Sequence, residues 1–119
     1  MVHTNGEERL ADYEQRYREL AAQLAEIGLI SSGSVTHRYT KCATPGCKCH
    51  DDPPRRHGPY YQWTAKVAGK TVTRRLSAQE AQLYQEWIAN DRQMRRLIAQ
   101  MRQVAAKAGE LKIKQAATA

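Results

Sequence analysis

Three thiols and two imidazoles lie within the sixteen residues from Cys42 to His57, a segment that reads CATPGCKCHDDPPRRH. The cysteines are spaced as C-x4-C-x-C, and a Pro-Gly pair between the first two can turn the chain. Thiolates and neutral imidazoles are the preferred ligands of tetrahedral Zn²⁺, and three cysteines with one histidine leave no position for a substrate. The pattern predicts one structural zinc ion held by Cys42, Cys47, Cys49 and His57.

The fourth ligand is a choice between two histidines. His50 directly follows Cys49, and adjacent side chains rarely point at the same small ion. His57 arrives from the far side of the loop, so its coordination would tie a first strand to a second. We therefore favour His57, and His50 stays the alternative.

Other interpretations of the cysteines are weaker. A disulfide would leave one of the three unpaired and is typical of oxidising compartments, which the sequence does not indicate. A catalytic Cys-His pair needs only one thiol, so three clustered thiols do not favour it. Inert structural cysteines are usually buried among apolar side chains, and this polar loop offers little apolar burial. The chain also has no phosphate-binding loop, dinucleotide glycine motif or serine-triad pattern, so we expect a protein that is not an enzyme.

Two helices and three strands are predicted to position this loop. Residues 5–28 form the first helix, and residues 77–108 form a second that begins with the capping box Ser77-Ala78-Gln79-Glu80. Residues 109–119 are expected to be a frayed tail. Between the helices, residues 34–76 alternate in the manner of short strands, and a tight hairpin is expected at Ala68-Gly69.

The predicted fold class is α+β, in a single domain spanning residues 1–119. A small three-stranded antiparallel, metal-stapled β head is flanked by two long helices packed as an antiparallel helical hairpin. Both helices carry seams of apolar residues at alternating spacings of three and four, and one register places Glu14 beside Arg95. Asp91 occupies a seam position and needs a partner, either the Tyr17 hydroxyl or an arginine. The alternative to the hairpin is a homodimer joined through the seams.

The net charge of +7 is unevenly distributed, because residues 1–33 carry −3 and residues 34–119 carry +10. A basic body favours a polyanionic partner, or pairing with the acidic first helix, although an ordinary solvated surface has the same composition. Threonine hydroxyls beside the cations of the strands can donate to phosphate. The cations without an assigned acid are the candidate nucleic-acid contacts: Arg38, Arg55, Arg56, Arg74, Arg75, Arg92 and Arg96.

The expected function is that of a small zinc-binding, nucleic-acid-binding accessory protein that contacts DNA with low sequence specificity. No window has the ~18 apolar residues of a membrane helix, and the polar start lacks the apolar core of a signal peptide, so we expect no membrane partner and a cytoplasmic location. The alternative is a protein-interaction module that uses the metal-stapled head or the helical seam without binding nucleic acid.

A resemblance to a known family covers residues 27–90. The Cys42-x4-Cys47-x-Cys49 run, followed by His57-Gly58-Pro59-Tyr60 and a Ser-capped helix, resembles a family of small bacterial and archaeal domains of unknown function. The resemblance implies an uncharacterised protein, often from actinobacteria and sometimes encoded near mobile genetic elements. It implies no activity and no site.

Overall fold

The computed structural model describes residues 6–40, 43–50 and 56–118. Helix α1 spans Gly6–Ala25, and strand β1 spans Ser34–Thr40. A short 3₁₀ helix follows at Lys48–His50. The remaining elements are β2 (His57–Val67), β3 (Lys70–Leu76) and the long helix α2 (Ala78–Thr118). The predicted α+β class, with a three-stranded antiparallel sheet and two helices, is confirmed.

The sheet has the strand order β1-β2-β3, and both neighbouring pairs are antiparallel. The β2–β3 connection turns at Ala68 and Gly69, whose φ angles are 52° and 80°. Positive φ at both central residues is the requirement of a type I′ turn, whose twist matches that of the flanking strands. The hairpin expected from the sequence at these two residues is confirmed.

The pairing register divides the side chains of the sheet into two faces, because directly opposed residues point to the same side. Val35 is opposite Trp63, and Ala65 is opposite Val72, so these apolar side chains share one side, the inner sheet face. The opposite side, which we call the outer sheet face, consists of Ser34, Thr36, Arg38, Tyr60, Gln62, Thr64, Lys66, Thr71, Thr73 and Arg75.

An aromatic cluster packs on the inner sheet face. The ring of Tyr84, from the first turns of α2, lies 5.0 Å from both Trp63 and Trp87. The Trp63 indole N–H donates to the Ser32 carbonyl at 2.9 Å, and the Ser31 amide donates to the Trp87 carbonyl at 3.1 Å. The cluster thereby attaches the segment before β1 to both the sheet and the helix. Buried Ala65, Leu76, Ala81 and Ile88 complete this core.

The attachment requires glycine at position 33, because a residue with a side chain would not fit there. Its φ is +100°, a region that side chains with a Cβ rarely adopt. A Cβ at this position would lie 2.5 Å from the Thr64 carbonyl oxygen and 2.8 Å from the Trp63 indole nitrogen. The Gly33 backbone therefore packs closely against Trp63, whose indole N–H donates to the carbonyl of the neighbouring Ser32.

Helix α2 begins with the predicted capping box. The Glu80 amide donates to the Ser77 hydroxyl at 3.1 Å, and the Ser77 amide donates to the Glu80 carboxylate at 3.0 Å. The backbone N–H of Ser77, assisted by its hydroxyl and by the Arg74 guanidinium, lowers the pKa of the Glu80 carboxyl. Arg74 lies 3.3 Å from this carboxylate.

The chain divides into two compact units. One contains the β head, residues 34–76, within Leu29–Ala89, and the other contains Met1–Gly28 and Asn90–Ala119. In the second unit, Gly28 lies beside Asn90 and Glu14 forms an ion pair with Lys112 at 3.1 Å. These contacts mean that α1 runs antiparallel to the second half of α2 within one chain. The single domain expected from the sequence over residues 1–119 stays a prediction.

The register of the two helices differs from the one expected. Glu14 pairs with Lys112 rather than Arg95, and α2 continues past the expected end at Ala108 to Thr118. Arg95 instead binds Asp91 at 2.6 Å, one turn earlier on its own helix. A carboxylate whose side chain is only 12% exposed needs a charged partner more than a surface glutamate does. The expectation that an arginine satisfies Asp91 is confirmed.

Candidate metal centre and basic sheet face

Two of the four predicted zinc ligands meet at the end of the sheet where the central strand β2 begins. The Cys47 Sγ atom lies 3.1 Å from the His57 Nε2 atom, although ten residues separate them. Ligands on one tetrahedral zinc ion, at 2.3 Å for sulfur and 2.0–2.1 Å for nitrogen, would lie about 3.5 Å apart. The observed separation is within about half an ångström of that value, so a small movement would accommodate the ion.

The backbone explains why these two residues converge. His57 begins β2 and pairs with Thr40 near the end of β1, which brings both ends of the cysteine loop to the same place. Gly46, with a φ of 78°, turns the chain immediately before Cys47. The His50 amide donates to the Cys47 carbonyl at 2.9 Å, so the chain curls through the short 3₁₀ helix after Cys47.

The other two predicted ligands, Cys42 and the side chain of Cys49, lie outside the described residues. Among the side chains that are described, no group of three or more metal-binding residues occurs, and Cys47 forms no disulfide. The donor chemistry of Cys47 and His57 fits zinc, since a soft thiolate and an imidazole nitrogen are placed side by side. The four-ligand set stays a prediction.

The outer sheet face carries a net positive charge. Of its ten side chains, Arg38, Lys66 and Arg75 are cationic and none is acidic. All three cations are exposed, and in the described part of the chain none of them forms an ion pair. Hydroxyl groups of serine, threonine and tyrosine occupy most of the positions between them.

Tyr60 lies on the central strand, at the end of this face that is nearest the cysteine loop. The Arg75 guanidinium carbon is 4.0 Å from the centre of the Tyr60 ring, a cation–π contact. Arg38 is directly opposite Tyr60 on β1, and Gln62 is directly opposite Arg75. The four residues line an open depression of about 360 Å³.

The structure brings only some of the predicted nucleic-acid contacts together. Arg38 and Arg75 share the outer sheet face, and the exposed Arg56 directly precedes β2. Arg74 is on the inner sheet face, where it is opposite Trp63 and pairs with Glu80, so its placement among cations without an acid was wrong.

The remaining predicted cations lie elsewhere. Arg92 and Arg96 belong to the other compact unit, where Arg96 donates to Gln93 at 2.8 Å. Arg55 lies outside the described residues. Lys66 was not among the predicted contacts. The alternation along β2 would have indicated it, because Lys66 is six residues from Tyr60 and therefore lies on the same face.

Comparisons with known proteins identify the family and nothing more specific. The family model described as "Domain of unknown function (DUF6788)" matches residues 10–85, which is more than half of the chain, so the chain belongs to this family. The matched region includes most of α1, the whole sheet and the start of α2. No curated protein and no solved structure matches the chain. Within the described residues, no helix is long and apolar enough to cross a membrane.

Proposed function

We propose that this member of the DUF6788 family is a small zinc-binding accessory protein that binds nucleic acid through its outer sheet face. The observation that carries the proposal is the composition of that face, with three exposed cations, many hydroxyls and no acid. The phosphate backbone of a nucleic acid is the polyanion that fits such a surface, because cations attract phosphate groups and hydroxyls donate hydrogen bonds to them. Such contacts do not depend on the base sequence.

Electrostatics supports this face as a phosphate-binding surface. Some cations elsewhere in the described residues pair with acids, as Arg74 does with Glu80 and Arg95 does with Asp91. On the outer sheet face Arg38, Lys66 and Arg75 add their fields without such cancellation. Two of the three are arginines, whose planar guanidinium suits forked contacts to phosphate oxygens.

Zinc would fix the end of the sheet that carries this face. A metal bound by Cys47 and His57 ties the cysteine loop to the first residue of β2, and so shortens the chain that is free between β1 and β2. Cysteines kept as thiolate ligands require a reducing compartment, so we place the protein in the cytoplasm.

Reversing the charge of the outer sheet face tests the proposal. In Arg38→Glu/Arg75→Glu we expect much weaker binding to an oligonucleotide and a shallower dependence on salt. Each lost phosphate contact lowers the slope of log affinity against log salt by about 0.7–0.9, so the double variant loses about 1.5 or more. Fluorescence anisotropy across a salt series gives both quantities.

The matched control is Arg16→Glu/Arg18→Glu, which makes the same change in net charge on α1. We expect this control to keep the slope of the unmodified protein, because a net-charge effect alone does not remove specific phosphate contacts. Equal losses in both variants would contradict the assignment of the face. A protein that binds no oligonucleotide even at low salt would end the proposal and favour the protein-interaction module.

A further inference from the structure

The width of the outer sheet face limits the nucleic acid that can lie on it. Neighbouring strands are 4.7–4.9 Å apart, so the outer strands of this three-stranded sheet are about 10 Å apart before side chains are added. The major groove of B-form DNA is about 12 Å wide and admits a helix or a two-stranded ribbon. The outer strands alone take up most of that width, whereas an extended single strand can cross the face without having to admit the sheet into a groove.

The end of the face at which β2 begins offers a surface for an unpaired base. Arg75 is stacked on Tyr60, and both line the depression together with Arg38 and Gln62. Unpaired bases stack on aromatic rings and on guanidinium planes, and every base has a π face. The Gln62 amide can donate a hydrogen bond to a base edge or accept one from it. Arg38, which is opposite Tyr60 on β1, can bind a neighbouring phosphate group.

We infer that the ligand of the outer sheet face is a single-stranded polynucleotide, one base of which stacks in the Tyr60–Arg75 depression. The inference rests on the proposed function and specifies its ligand. The stack supplies contacts that a paired base inside a duplex cannot make, and the flanking cations supply the phosphate contacts that any nucleic acid makes. Single-stranded DNA and RNA share this chemistry.

The test compares three ligands on the 119-residue chain, purified with zinc in the buffer: oligothymidylate of about 16 nucleotides, oligouridylate of the same length, and a hairpin duplex with equally many phosphates. We expect one or both single strands to bind at least about five-fold more tightly than the duplex, the ratio that ~1 kcal/mol of stacking gives. Equal or tighter duplex binding would overturn this inference and leave the proposed function standing. Absence of binding to all three at low salt would overturn both.

Two conservative variants separate stacking from charge. Tyr60→Leu keeps an apolar side chain without a π face, and Arg75→Lys keeps the charge without the planar group. Each is expected to weaken single-strand binding about five-fold or more while the salt slope stays the same. The control Lys66→Gln removes one cation of the same face, so it should lower the salt slope by about 1 for any ligand that binds. Unchanged single-strand affinity in both Tyr60→Leu and Arg75→Lys would overturn the inference.

Discussion

Removal of zinc is expected to unfold the β head, residues 34–76, while most of the helical circular-dichroism signal of α1 and α2 persists. Three short strands bury little apolar surface on their own, so we propose that a metal tying the loop to β2 supplies much of their stability. Structural zinc sites contribute about 10–16 kcal/mol of apparent binding free energy at neutral pH. Chelator titration, followed by near-ultraviolet circular dichroism of the Trp63 cluster, measures the loss.

A histidine pair gives the matched control for this prediction. His57→Ala removes the imidazole that lies 3.1 Å from the Cys47 thiol, so it should abolish zinc retention during dialysis. His50→Ala, seven residues earlier in the same loop, should retain zinc. A protein that stays fully folded after chelation would contradict the metal assignment, and loss of zinc in His50→Ala alone would make His50 the fourth ligand.

Truncation of Trp63 is expected to lower the free energy of unfolding by about 3–5 kcal/mol, the usual cost of deleting a large packed aromatic side chain. The change removes the stack on Tyr84 and the hydrogen bond to the Ser32 carbonyl, so the segment before β1 loses its attachment. Urea denaturation of Trp63→Ala, compared with the unmodified protein, gives the difference.

The control for this prediction is Tyr39→Ala, which truncates an aromatic side chain of β1 that is 52% exposed. Because Tyr39 has less packed surface to lose, its variant should be destabilised by about 1 kcal/mol or less. Similar unfolding free energies for the two variants would show that the aromatic cluster is not the anchor of the sheet.

Local patterns were sufficient to predict the elements of the fold. The Ala68-Gly69 turn and the Ser77/Glu80 capping box depend on residues within four positions of one another, and both are present as expected. The alternation expected within residues 34–76 is likewise present, with Trp63 and Ala65 on the inner sheet face. Each of these features is decided by side chains that are close in sequence.

Features that depend on distant pairing were harder to predict. Glu14 was matched to Arg95 from spacing alone, but a buried Asp91 four residues before Arg95 is a stronger partner. Arg74 and Arg75 have the same chemistry, yet their adjacent positions place them on opposite sides of the sheet. Only the register of β3 against β2 decides which of them lies on the outer sheet face.

Chemical-shift mapping of the zinc-loaded protein with a short oligothymidylate tests the proposed interface most directly. We expect the largest backbone amide shifts at Arg38, Tyr60, Gln62 and Arg75, with α1 (Gly6–Ala25) unchanged. The shifts should diminish as salt is added, because they follow phosphate binding. Shifts concentrated in the helices with an unperturbed sheet, or none at low salt, would contradict the account.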